Sequence, residues 1–585
     1  MPNEDSLKQL FASGPAEGPS KVTGLDEAIA AHLKPGQSVF LGWNAASATC
    51  EIMRRFRGQK PGFTFIMTMT WDHALNLVHC GLAQKLVSTN CSYAAPSPAP
   101  SHAIQRAFRK GTVQIENWSL YSIQQRLMAG ALGVGFMPTH SISESSMALD
   151  NRDSFAEIPD PFNPGAKIGA VKALNPDIAI VHALAADHNG NAIMSPVSQD
   201  TLWGAKASTG GVLVTCEKIV PADFIRRHSY LPAISGYLVR SVSLCPLGAH
   251  PEGHFSNLSE VDSYGEDYDF MLGQRQASAD EGMLDEWLDK WVYGVKGHDG
   301  YLERLGAERV SALKRRFNKK YVAGIALPGT KPAEESKANG TEAMIAAASR
   351  KIAEHVKEKG YNVVLAGIGL PGLAAWMAYY KLKSEGINVD LALGSGVLGY
   401  QPRPGDPNLL TVSNAPSARM LVDTSEMYGY IISGAGARCL SIIGAAQIDE
   451  SGNVNTTVVG SGTYISGSGG NNDNACGAAE VMVVAAQSKR RCVQSLDYRT
   501  SRGERITTLV TSMGVFEKGP DGRFLLTGCI LSQDDGSVED GIARVRDNCG
   551  WPVNASAEVA SVAPPTSYEL ALLRSFDPNR YLLKD

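Results

Sequence analysis

Two stretches of this sequence answer each other, and the pairing constrains the fold more than any other feature. "PDIAIVHALAADHNGNAI" begins at Pro176 and "RCLSIIGAAQIDESGNVN" at Arg438. Each reads as a buried apolar strand followed by Ala-x-x-x-Asp-x-x-Gly-Asn. Asp187, Gly190 and Asn191 answer Asp449, Gly452 and Asn453, all three at the same separation. Asp-x-x-Gly-Asn is turn chemistry: a carboxylate takes the turn's N–H groups, and glycine supplies positive φ. One copy alone is a hairpin turn. Two copies in one register, each behind an apolar strand, point to a duplicated domain.

A second correspondence runs the same way. "KPGQSVFLGWNAASATCEIMRRF" and "KGYNVVLAGIGLPGLAAWMAYYKL" each run strand, small residues, amphipathic helix. Pro371 suits the first turn of its helix, where a missing N–H costs nothing. "TGLDEAIAAHL" before the first and "NVDLALGSGVLG" after the second continue the alternation of β and α elements. Apolar strands alternating with helices predict α/β sheets, mainly parallel. At 585 residues the chain exceeds what one core supports. "LPGTKPAEESKANGTE", Leu327 to Glu342, is poor in apolar residues and reads as a linker. The expected organisation is a flexible tail over 1–19, an α/β domain over 20–325, a linker over 326–342 and a second, related α/β domain over 343–585. A helical stretch from Asp280 to Gly306 closes the first half, with Trp287, Trp291 and Tyr301 expected to pack.

Composition excludes several classes. A net charge of −5 argues against a nucleic-acid or polybasic membrane surface. No signal peptide and no spanning helix is legible, so a cytoplasmic protein is expected. The ten cysteines form no CxxC pair and read as reduced core residues. His250 and His254 stand four apart, but Pro251 and Gly253 disfavour a helix between them, so no metal site is expected.

Chemistry gathers at glycine turns: "FLGWNAAS" (Phe40 to Ser47), "GIGLPG" (Gly367 to Gly372), "GSGVLG" (Gly394 to Gly399) and "SGSGGNND" (Ser466 to Asp473). Backbone N–H groups at such turns receive anions or polarised carbonyls. "GIGLPG" lacks the rest of a dinucleotide unit and no P-loop occurs. "PTHSISESS" gathers His140, Ser141, Ser143 and Glu144 after a strand end. Ser395 has no nameable His-Asp partner.

These segments in combination resemble a class I coenzyme A transferase with its α-like and β-like subunits fused, closest to the glutaconate type. The resemblance spans about residues 20–535. It rests on "HALAADHNGNAI", "EKIVPADFI", "PLGAHP" and "DEWLDKWVYGV" in the first half. In the second half it rests on "GIGLPG", "GVLGYQPRP", "GAAQIDESGNVN" and "SGSGGNND". It implies two tandem related α/β domains with a thioester site at their junction. It also implies an acyl-CoA and a small carboxylic acid as partners, coenzyme A as substrate with no further cofactor, and a homo-oligomer.

In the family a glutamate at this strand end attacks the acyl-CoA and then carries the CoA. Here Gly394 falls at that position and Ser395 at the following asparagine. A hydrolytic branch acting on ring-degradation intermediates also lacks that glutamate and has its acidic residue in the other half, where Leu120 stands here and Glu116 lies one turn earlier. The reading is therefore hydrolysis of an acyl-CoA, at the thioester or at a C–C bond of a β-diketone-like acyl group. CoA transfer and non-catalytic acyl-CoA binding are the alternatives. Glu116 or Glu144 is the expected base and Ser395 a further catalytic candidate. Gly42, Trp43, Asn44, Gly367 and Gly369 are expected around the thioester oxygen, with Gly394, Gly396, Gly467, Gly469 and Gly470 lining the site.

Overall fold

The computed structural model describes residues 4–10, 18–197, 200–315, 337–460 and 462–584. In the first half, seven parallel strands are β1 (Ser38–Leu41), β2 (Phe63–Ile66), β3 (Ala83–Ser88), β4 (Gln114–Asn117), β5 (Ile178–Ala186), β6 (Val212–Ile219) and β7 (Val239–Leu244). They lie in the order β4-β3-β2-β1-β5-β6-β7 within a nine-stranded sheet. Helices α1 (Ala46–Arg55) and α2 (Leu120–Leu132) follow β1 and β4.

The second half repeats the plan with β8 (Val363–Ala366), β9 (Asp390–Leu393), β10 (Val397–Leu398), β11 (Cys439–Ile443), β12 (Glu480–Ala485) and β13 (Ile506–Thr511), and with α3 (Leu370–Ser384) after β8. Its parallel strands run β9-β8-β11-β12-β13, matching β2-β1-β5-β6-β7 strand for strand. Each parallel sheet is buried on both faces, and successive residues go to opposite cores. Val364, Leu391, Leu440 and Met482 pack on one side of the second sheet, and Leu365, Ala392, Val481 and Val483 on the other.

The repeated turns explain the strongest sequence signal. Asp187 accepts from Asn191 N at 2.9 Å and from its Nδ2 at 2.8 Å. Asp449 accepts from the same two groups of Asn453, both at 2.9 Å. Gly190 and Gly452 have φ of 91° and 80°, as a turn of this kind requires.

Several expectations change in detail. "GSGVLG" does not lead into a helix. β9 and β10 form a tight antiparallel hairpin with Leu393 opposite Val397, so Gly394, Ser395 and Gly396 are its turn. Within the segment expected as a loose tail, Glu4–Leu10 is helical. The Asp280–Gly306 stretch breaks at Gly294 into helical pieces, Glu281–Leu288, Asp289–Tyr293 and Gly297–Leu305. Its aromatics surround Phe270, with Trp287 and Trp291 ring centroids at 5.0 and 4.9 Å. Residues 326–336 of the expected linker lie outside the described residues, and Asn339 caps a helix that starts at Gly340. All ten cysteines are free thiols, and all but Cys50 and Cys80 are buried. Among the described residues, no helix is long and apolar enough to cross a membrane.

Candidate active site

The carboxyl ends of β8, β9 and β11 deliver Gly367, Gly394, Ser395 and Gly444 to a cavity of about 270 Å³ between the two halves. The first half supplies Trp43, after β1, and Trp71, Asp72, Leu120 and Asp200. The glycine segment Ser466–Asn471 closes the seam. That segment is stitched to the first half by backbone: Cys91 N donates to Ser466 O at 2.7 Å, Gly469 N to Thr89 O at 2.8 Å and Leu120 N to Gly469 O at 3.0 Å. A Cβ at Gly467 would lie 2.4 Å from Thr89 O, so glycine is needed there for the two backbones to approach.

Of the residues singled out from sequence, Trp43, Gly367, Gly394, Ser395, Gly467, Gly469 and Gly470 line this cavity. Gly42, Asn44, Gly369 and Gly396 do not. Gly42 N is spent on Ile180 O at 2.9 Å, which continues the strand pairing, so it is no thioester donor. Asn44 is fully buried beneath the turn. Gly369 is the N-cap of α3, and Gly396 N closes the hairpin on Leu393 O at 3.0 Å.

The two expected bases fall outside the cavity. Glu116 is on β4, pinned between Lys85 and Arg126 and taking the Trp118 indole N–H at 2.7 Å. Burial pushes its pKa up, but these partners outweigh burial and hold it below the usual range, which suits an ion pair and not a base. Glu144 sits in a surface loop, 59% exposed at its side chain, beside Arg502 at 3.7 Å. Ser395 faces the cavity, but no histidine lines the cavity among the described residues, so a serine triad has no base.

The carboxyls that do line the cavity are Asp72, Asp200, Glu252 and Glu266. Burial raises all four. Asp200 rises to about 6, Asp423 adding to burial while Thr68, whose hydroxyl donates to it at 2.7 Å, and the Trp43 indole pull back. Glu266 rises to about 7 through burial and then Asp406, although Val412 N at 2.8 Å and Thr411 Oγ1 at 3.0 Å donate to it. Asp72 and Glu252 face each other: burial lifts both, Asp72 lifts Glu252 further, and Glu252 and the Arg275 charge pull Asp72 back to about 6.

Over Gly394 lies Tyr428. A Cβ built on Gly394 would stand 2.2 Å from the Tyr428 hydroxyl, and one on Gly470 would stand 1.9 Å from it. Tyr428 is 2% exposed, and burial keeps its hydroxyl protonated far above ordinary pH.

A family profile described as coenzyme A transferase matches residues 22–242 and 347–518. The chain belongs to this family. One subunit of the glutaconate CoA-transferase of Acidaminococcus fermentans is 30% identical over 325 residues, half of this chain and 95% of that protein. One subunit of the 3-oxoadipate CoA-transferase of Pseudomonas knackmussii is 32% identical over 250 residues, 40% of this chain and 92% of its own. The counterparts of two subunits of this family are thus joined in one chain. A solved acyl-CoA transferase of Escherichia coli O157:H7, crystallised as a thioester complex with CoA, shares the fold with a TM-score of 0.63 over 96% of this chain and 98% of its own, at 13% identity.

In this member of the coenzyme A transferase family the sequence motifs locate the cavity's glycine walls but not its titratable groups. Glu252 stands between His250 and His254 in a segment whose histidines carry the more obvious chemistry. Asp72 opens a single 3-10 turn, Asp200 precedes a short helix and Glu266 lies in a loop, so none carries a periodic signal. His254 meets His182 and Glu217 instead of His250, with their ligating atoms within 4.8 Å. Glu217 takes His182 Nε2, Tyr264 Oη, Leu247 N and Gly248 N, while His254 Nε2 has no hydrogen-bond partner among the described residues.

Proposed function

We propose that the chain cleaves an acyl-CoA with water as nucleophile, and that no residue at the β9–β10 turn carries the CoA. One observation supports this above the others: the Tyr428 hydroxyl occupies the volume that a side chain at position 394 would need. Covalent transfer requires an atom to carry the CoA. Glycine offers none, and a carboxylate there would collide with the phenol.

In this reading the thioester lies against Tyr428, whose O–H donates to the carbonyl oxygen as charge develops on it. Asp200 is the base in place of Glu116 and Glu144. It lines the cavity, Thr68 fixes its carboxylate, and its pKa of about 6 leaves it ionised near neutrality. It takes a proton from water as the water oxygen attacks the thioester carbon. Collapse releases the acid and CoA thiolate, and the proton held between Asp72 and Glu252 is available in the same cavity for that sulfur.

A second reading, CoA transfer, draws support from the same four carboxyls, because Asp200 could itself be acylated. Incubation with acyl-CoA in ¹⁸O-labelled water, with and without carboxylate acceptors, separates the two. Label in the product acid and no acceptor ester supports hydrolysis. Acceptor esters without label, together with an Asp200 peptide trapped by borohydride, reject it.

A further inference from the structure

We infer that this cavity accepts an uncharged acyl group: an acyl-CoA with no carboxylate on its acyl chain, and no carboxylic acid as co-substrate. The inference rests on the acyl-CoA reading above and names the substrate class for the same site.

Four carboxyls line the cavity, and among the described residues no lysine, arginine or histidine does. Nearby cations are engaged elsewhere. Arg275 donates to Ser97 O at 3.1 Å and lies 5.1 Å over the Tyr93 ring, and Lys206 lies 4.9 Å over the Trp203 ring. Asp72 Oδ2 and Glu252 Oε1 are buried at the cavity wall with no hydrogen-bond partner among the described residues. Arg275 reaches the site only through space, where its charge pulls the Asp72 pKa back, and the remaining positive potential is backbone. The first turn of α3 is the natural source, but Pro371 removes one of its donors, and Gly369, Leu370 and Pro371 do not line the cavity.

A carboxylate entering this space loses its water, finds no cation and meets groups of its own sign. An uncharged chain meets Leu120, Val197, Leu393 and Val397, which line the same walls. An oxo or hydroxyl oxygen on that chain can accept from the protonated Asp72–Glu252 pair. The phosphates of CoA are not affected, since the pantetheine arm carries them away from the thioester. The same argument removes a carboxylic acid acceptor, which would have to enter the same space to receive the CoA.

The test uses the full-length protein and pairs of esters matched in chain length, butyryl- with succinyl-CoA and valeryl- with glutaryl-CoA. Binding is read by calorimetry and turnover by thiol release. The expected result is that each uncharged ester binds at least about tenfold more tightly than its anionic match, and that added acetate or succinate yields no acyl exchange. Glu252→Gln and Glu266→Gln should each narrow the gap by about threefold. Equal or tighter binding of succinyl- and glutaryl-CoA overturns the inference and leaves the acyl-CoA reading standing. A gap that neither variant changes overturns the carboxyls as its source. Binding of no ester at all overturns the acyl-CoA reading, and this inference with it.

Discussion

A single glycine decides what the β9–β10 turn can do, and its neighbour Tyr428 makes the decision hard to reverse. Gly394→Glu puts a Cβ where only 2.2 Å separates it from the Tyr428 hydroxyl. Overpacking of that kind costs about 1–3 kcal/mol. The variant should melt below the wild type and form no covalent CoA adduct. Gly394→Glu combined with Tyr428→Ala opens the volume, and borohydride after acyl-CoA exposure should then mark the peptide containing position 394. A stable single variant that traps CoA as well as the double one does would show the volume argument to be wrong. Tyr428→Phe keeps the packing and removes the hydroxyl, so kcat should fall by about 10²-fold while the melting temperature holds. Asp200 makes a claim that pH can test. As a base it must be ionised, so kcat/KM should rise as pH increases through about 6 and then level, and Asp200→Asn should lose about 10²–10⁴-fold of it. A profile without that limb, or an active Asn variant, moves the base elsewhere. Glu116 shows why such assignments fail from sequence alone. Its partners Lys85 and Arg126 come from β3 and α2, and only the fold brings them to it.

At the scale of elements, the legible features are those written in local chemistry. The Asp-x-x-Gly-Asn turns can be read because carboxylate, glycine and asparagine all act within five residues of one another. Asp449 takes three N–H groups, adding Ser451 N at 3.0 Å to the two of Asn453. Asp449→Ala should therefore cost about 1–3 kcal/mol, seen as a lower denaturation midpoint, because those donors lose their acceptor together. Asp449→Asn, which keeps one acceptor oxygen, should recover part of the loss, and an unchanged midpoint in the Ala variant would remove the turn from the account of the repeat. The β9–β10 hairpin is not legible in the same way, because Gly-Ser-Gly after an apolar strand serves equally as a turn into a helix or back into a strand. What decides it is Val397 pairing with Leu393 and with Leu421, a partner more than twenty residues downstream. The glycines of Ser466–Asn471 do stand at the cavity as their pattern suggests, but the N–H groups of Gly467 and Gly469 go to carbonyls of Thr456 and Thr89. They hold the wall together, and in the proposed mechanism oxyanion binding falls to Tyr428.

For the molecule as a whole, the duplication is visible in sequence while the contacts that join the two copies are not, because each joins residues more than a hundred positions apart. Asp473 and Glu266 are two of the carboxyls that stand at that seam. Asp473 of the second half takes Ser141 Oγ at 2.6 Å and Tyr121 N at 3.0 Å from the first, and burial raises it to about 6. Glu266 of the first half takes Val412 N and Thr411 Oγ1 from the second and is raised to about 7. Both pKa values lie above those of an unfolded chain, about 4 for each type. The folded protein therefore holds these protons more tightly than the unfolded one, and the difference fixes the sign. Their contribution is most favourable below about pH 4 and is lost as pH rises through 6 for Asp473 and 7 for Glu266. Between about pH 6 and 8, where carboxylates held low by ion pairs do not titrate, these two groups lower stability as pH increases, against the opposite contribution of buried histidines such as His73 and His254, which burial holds neutral. Glu266→Gln removes the larger part of that slope. Its amide oxygen can still accept from Val412 N, and no charge remains to be buried. At about pH 8 the variant should be more stable than the wild type by roughly 2 kcal/mol, with the gap closing towards pH 5. Denaturant titrations of both proteins across that range measure it directly. A variant whose advantage over the wild type does not grow between about pH 5 and 8, or one that is weaker at both, would mean that Glu266 reaches neutral pH already paired and that the seam carries no proton-linked strain.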